Sequence, residues 1–137
     1  MNCPDINPLD IAKSYNNIGV IYLNRQIFDS SLVNFNMAYF HLRRGDFKNA
    51  AISFMLYNNY ILNSIFLGNS KDALKLLKEW INISNETARI NITVEIKRFC
   101  YELVFDKNFD DAMKLHDVGK KLVSELFGKN SHEYFLF

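Results

Sequence analysis

Three histidines (His41, His116, His132), two cysteines (Cys3, Cys100) and a recurring pair of asparagines are the side chains of this 137-residue chain with the most chemical potential. The histidines show no metal-ligand spacing, and no glycine-rich phosphate loop or nucleophile motif accompanies them. The cysteines make neither a disulfide framework nor a metal-binding pattern. Reduced thiols of a cytoplasmic protein are the expectation, with no catalytic residue, no metal and no cofactor. What recurs is carboxamide: Tyr15-Asn16-Asn17 returns 42 residues later as Tyr57-Asn58-Asn59. Each asparagine offers an acceptor and two donors, enough to pair with an extended peptide backbone whatever its side chains.

The elements that must carry these residues are helices. Five glycines and two prolines are too few for an all-β protein rich in tight turns, and both prolines (Pro4, Pro8) precede the first periodic segment. Turn signals fall at Asn24-Arg25-Gln26, Arg44-Gly45-Asp46, Gly68-Asn69-Ser70, Ser84-Asn85-Glu86, Asp106-Lys107-Asn108 and Gly128-Lys129-Asn130. Between them, apolar residues at i, i+3, i+4 and i+7 predict helices over about 9–24, 28–43, 47–67, 70–83, 87–105 and 108–127. Ser70 before Lys71-Asp72, and Asn108 before Asp110-Asp111, read as helix starts. Gly45, Gly68 and Gly128 stand where a left-handed C-terminal cap is wanted. Gly19 lies inside the first helix and forfeits about 1 kcal/mol relative to Ala, so a close-lying partner helix must compensate.

Composition narrows the function classes. With 49% apolar and 23% charged residues the chain is globular rather than disordered. A net charge of +1 from 16 basic and 15 acidic residues gives no basic stripe for nucleic acid. Arg43-Arg44 and Lys120-Lys121 read as solvated helix ends. The first residues lack the basic start and apolar run of a secretory signal. The most apolar stretch, 50–67, is interrupted by Asn58, Asn59 and Asn63, which makes it a poor membrane span.

The first helical pair resembles a tetratricopeptide repeat (TPR). Tyr15, Ile18, Gly19 and Tyr22 fill the first half of that pattern, and Ser31, Phe35 and Ala38 the second. In the same phase follow Tyr57, Tyr60, Ile61, Ser64, Ala73, Leu77 and Trp80, then Ile96, Phe99, Cys100, Leu103, Ala112, His116 and Gly119. Ser31, Ala73 and Ala112 are 42 and 39 residues apart, a period resembling the long repeats of kinesin light chain and of bacterial peptide sensors. A rival register reads Gly45-Asp46-Phe47-Lys48-Asn49-Ala50 as a hairpin turn. The resemblance implies an all-α fold, a right-handed superhelical array of about three hairpins (9–43, 47–83, 87–127) in a single domain. Residues 128–137 would begin a truncated or docking helix.

It also implies where function sits. The first helix of each hairpin lines a concave face, which assigns Lys13, Asn16, Asn17, Val20, Leu23 and Asn24 to a peptide-binding groove. The second hairpin adds Met55, Asn58, Asn59, Leu62, Ile65 and Phe66, and the third adds Val94, Lys97, Arg98, Tyr101, Val104 and Phe105. The expected function is a non-catalytic interaction module that holds an extended peptide or partner segment. The alternatives are a peptide-sensing regulatory domain, and a truncated array that self-associates through Trp80 and the apolar Phe135-Leu136-Phe137 end. His116 and Cys100 fall at packing positions of the pattern and read as interior groups, while His132-Glu133 reads as a helix start.

Overall fold

The computed structural model describes residues 6–46 and 50–137, without the side chains of residues 50, 134 and 135. Among the described residues seven α-helices and no strand occur: α1 (Pro8–Asn24), α2 (Phe28–Arg44), α3 (Ala50–Phe66), α4 (Ser70–Ile83), α5 (Glu86–Phe105), α6 (Phe109–Phe127) and α7 (His132–Leu136). The all-α class read from periodicity is therefore observed, with six long helices near their expected bounds. The Phe47-Lys48-Asn49 part of the rival turn lies outside the described residues.

Asparagine starts three of the helices. Asn7 accepts from the Leu9 amide (3.0 Å), Asn85 from Ala88 (2.8 Å) and Asn108 from Asp111 (3.4 Å), each satisfying a donor that a first helical turn leaves open. The ends are equally regular. Gln26, Gly68 and Lys107 have φ of 60°, 77° and 60°, and these left-handed residues stand 42 and 39 positions apart. After α1 the Ile27 amide reaches back to the Tyr22 carbonyl (2.9 Å), and after α5 the Asn108 amide reaches Leu103 (2.8 Å). Both are six-residue closures of a left-handed helix cap. Gly128 shares the positive φ at 88°, but Gly45 does not: with φ −98° and ψ −148° it leaves α2 in an extended conformation.

The chain divides into two compact units, Met1–Leu67 and Gly68–Phe137. The boundary falls between α3 and α4, inside the segment 47–83 that the repeat pattern reads as one hairpin. In the first unit α1 pairs with α2, and α3 lies against both. Phe35, Ala38, Leu42, Leu56, Tyr57 and Ile61 are fully buried there. Gly19 has the role its position predicts: a Cβ on it would come within 2.5 Å of the buried Phe35 ring, and the Ser31 hydroxyl donates to its carbonyl (2.8 Å).

In the second unit α5 pairs with α6, while α4 and α7 pack on α6. Its core holds Ala73, Leu77, Ile92, Ile96, Phe99 and Leu103. Trp80 is 1% exposed, so the indole that a self-association reading wanted on the surface is buried.

Candidate functional site

The repeated asparagines part company in the fold. α1 buries the stripe Ala12, Asn16, Gly19 and Leu23, spaced for one helical face. Asn16 is thus 2% exposed, and its Oδ1 accepts from Asn59 Nδ2 across the α1–α3 contact (3.3 Å). This pair ties two helices together instead of offering its carboxamides to a ligand. Leu23 and Ile65, assigned to the same groove, are also buried. Phe66 stacks on Phe28 with ring centroids 5.1 Å apart, which anchors the end of α3 on the start of α2. Lys13, Asn17 and Asn24 are exposed along α1, whereas Val20, Asn58 and Leu62 are half-buried.

A different picture holds on α5. Val94, Tyr101, Val104 and Phe105 are 64%, 67%, 46% and 74% exposed, and Lys97 and Arg98 stand exposed between them. Ile90 extends the row by one turn towards the helix start. These positions recur at three- and four-residue steps, so they form one face of a twenty-residue helix. The opposite stripe, Ile92, Ile96, Phe99 and Leu103, carries the core contacts. α5 is therefore apolar on two faces, more than packing within its own unit uses. Arg98 is drawn back along the helix by Glu95, 3.3 Å away. Phe109 and Met113 on α6 are likewise exposed and escaped the sequence reading, because apolar residues at helical spacing read as core.

The ionisable groups that the structure describes lie in separate surroundings. Desolvation pushes the Cys100 thiol up to about 11, so it stays protonated at neutral pH, and it faces the Ala112 carbonyl at 3.6 Å. His41 stacks on Tyr15 with centroids 5.8 Å apart, and its Nδ1 is buried without a partner among the described residues. His132 opens α7 and is exposed. The Asp111 carboxyl sits below its ordinary value, held there mainly by the Asn108 side chain and then by Ser70. No group of three His, Cys, Asp or Glu side chains is placed to hold a metal ion among the described residues. None of the described helices is long and apolar enough to cross a membrane.

Two concavities of the second unit are open and mixed in character. One of about 350 Å³ lies between α4 and α6, lined by Lys78, Ile81, Val118, Lys121, Leu122 and Glu125. Another of about 420 Å³ lies at the starts of the same helices, where Lys71 and Lys114 alternate with Asp72 and Asp111. Neither gathers one sign of charge or a set of convergent donors.

The apolar chain segment after Gly128 is engaged within its own unit. The Phe137 ring lies over Gly119, where any Cβ would collide with it, and 5.3 Å from the His116 ring. His116 Nε2 is 2.9 Å from the Phe137 carbonyl, and Lys97 Nζ stands 5.5 Å from the centre of the Phe137 ring. Leu136 remains 60% exposed. The sequence carried one signal for this seat, a glycine in the middle of α6 facing the same neighbourhood as His116.

In comparisons with known proteins, no family model matches this chain, and no curated protein or solved structure does either.

Proposed function

We propose that this protein is a non-catalytic interaction module of the tetratricopeptide type, and that the outer face of α5 is where it holds a partner segment. The observation that carries this reading is the exposed row Val94, Tyr101, Val104 and Phe105 with Lys97 and Arg98 among it. An isolated exposed apolar residue needs no explanation, but a contiguous row on one helix face does. Support for the repeat reading comes from the left-handed residues Gln26, Gly68 and Lys107, which keep the 42- and 39-residue spacing of the small packing positions.

Magnitudes fit a modest binder. Burying three such side chains contributes roughly 5–9 kcal/mol, against about 8 kcal/mol for micromolar affinity. Association costs come on top, so a partner must add polar contacts, for which Lys97 and Arg98 suit an acidic or carboxylate-bearing segment. Asn17 is the exposed asparagine of the original pair and joins the candidate set; Asn59 is a poor probe, because removing it orphans the buried Asn16.

The test is capture of partners from lysate by the intact chain and by the double variant Tyr101→Ser, Phe105→Ser. Partner recovery should fall at least about tenfold, the equivalent of losing one hydrophobic anchor of about 1.4 kcal/mol or more. Helix content and Trp80 fluorescence should stay unchanged. Equal recovery by both chains would reject the α5 face.

A further inference from the structure

We infer that the segment held by the outer face of α5 is α5 of a second copy of this chain, the two helices lying parallel about a two-fold axis as a short coiled coil. The inference rests on the α5 reading above and names its occupant. Thr87, Asn91, Val94, Arg98, Tyr101 and Phe105 follow one another at steps of four, three, four, three and four residues, and all six are exposed. Steps that alternate between three and four are those of the a and d positions at which two helices interlock. The buried stripe Ile92, Ile96, Phe99 and Leu103 lies on the other side of the helix, so this seam is left for a second helix. In a parallel pair each seam residue meets its own counterpart, Val94 on Val94, Tyr101 on Tyr101 and Phe105 on Phe105. The helix is already folded against α6, so pairing has little backbone to order.

Charge selects the second copy and its direction. Lys97 flanks the seam on one side, and Glu95 and Glu102 flank it on the other. Glu95 is taken by Arg98, 3.3 Å away, but Lys97 and Glu102 have no ion-pair partner among the described residues. Lys97 Nζ stands 5.5 Å from the centre of the Phe137 ring, a contact that leaves its charge uncompensated. With Asn91, Arg98 and Phe105 as a positions, Lys97 is a g position and Glu102 the e′ position five residues further on. That is the spacing at which ion pairs cross between parallel helices, and the two-fold axis makes two of them. An antiparallel pair would set each rim against itself, basic facing basic and acidic facing acidic. Asn91 adds a second signal, since asparagine at an a position specifies register and strand number. Arg98, the other polar a residue, is withdrawn from the axis: its guanidinium turns to Glu95 and lies 5.8 Å from the centre of the Phe99 ring.

The test is sedimentation equilibrium of the full chain, of the double variant Tyr101→Ser, Phe105→Ser, and of the charge variants Lys97→Glu and Glu102→Lys. The unaltered chain should dimerise with a dissociation constant of about 100 µM or tighter, and the double variant should be monomeric. Each charge variant alone places like charges at both cross-helix pairs and should weaken the dimer about tenfold. Their equimolar mixture restores opposite charges at both pairs and should regain the affinity of the unaltered chain. In a Cys3→Ser chain, Asn91→Cys should oxidise to a disulfide dimer across the axis. An antiparallel pair holds the two positions about 15 Å or more apart, beyond disulfide reach, so a dimer without that disulfide would overturn the proposal. A dimer indifferent to the double variant, or a charge mixture no tighter than its components, would overturn it too. A monomeric unaltered chain overturns the second copy as occupant. If that monomer captures another protein through Tyr101 and Phe105, the α5 reading itself still stands; if capture is the same for the double variant, both fall.

Discussion

Cys100 and Gly19 show how single residues are fixed by what lies within a few ångströms of them. Burial pushes the Cys100 thiol up to about 11, against 9.0 for a free one, so thiolate is scarce at neutral pH. Alkylation by iodoacetamide at pH 7.5 should be about a hundredfold slower in the folded chain than in urea, measured by mass spectrometry. The same shift fixes a sign: the raised value contributes stability that is whole below pH 9.0 and disappears as pH rises through about 11. Gly19 makes the steric case. Alanine there gains about 1 kcal/mol of helix propensity, but its methyl group must enter space 2.5 Å from the fully buried Phe35 ring. Overpacking of about 1–3 kcal/mol should prevail, so Gly19→Ala should lower the urea midpoint. A raised midpoint would mean that the ring swings aside.

At the scale of the helices, caps and turns divide the work. Asn7, Asn85 and Asn108 begin α1, α5 and α6 by accepting a first-turn amide, and three left-handed residues end α1, α3 and α5. Two of those residues, Gln26 and Lys107, carry a side chain in a conformation that disfavours Cβ by roughly 1–2 kcal/mol. Glycine relieves that strain but has more freedom to lose on folding. Gln26→Gly and Lys107→Gly should therefore each raise stability by a net amount of up to about 1 kcal/mol, and Gly68→Ala should lower it by about 1. Thermal unfolding of the three variants checks all of them, and Gly45→Ala is an instructive contrast. Gly45 has no left-handed φ, and the space around it is limited by Leu9 at 2.9 Å.

For the whole molecule, charge and apolar surface point to different partners. The 16 basic and 15 acidic residues leave a net charge of +1, too balanced to neutralise a row of phosphates. The chain should accordingly leave a heparin column at low ionic strength, below about 0.2 M salt, where binders with several phosphate contacts are still retained. Retention to higher salt would expose a basic face that the fold assembles from scattered lysines. Apolar surface is the larger asset: the α5 row is exposed in one unit, while in the other Val33, Phe40 and Met37 lie open along α2. Arg44 lies 5.6 Å from the Phe40 ring and shields part of the α2 row, whereas Val94 and Phe105 on α5 remain 64% and 74% exposed.

The six long helices and the places where they break were legible in the residues themselves, because a 3.6-residue apolar rhythm and turn residues are local properties that act within a few positions; the left-handed residues were read only in part, since Gly45 is extended while Gln26 and Lys107 take that conformation with a side chain. Gly19 was legible for the same reason: its cost inside a helix is local, even though Phe35, which explains it, is distant. The fate of the asparagines was not. Asn16 and Asn17 are neighbours of one residue type, and a rotation of about 100° per residue sends one into the α1–α3 contact and the other to the surface. Nor could periodicity say which of two apolar faces of α5 would be covered, since both have helical spacing and only the position of α6 decides. The seat of Phe137 depended on three-dimensional packing as well: Gly119, His116 and Lys97 come from two helices, and only packing joins them around one ring.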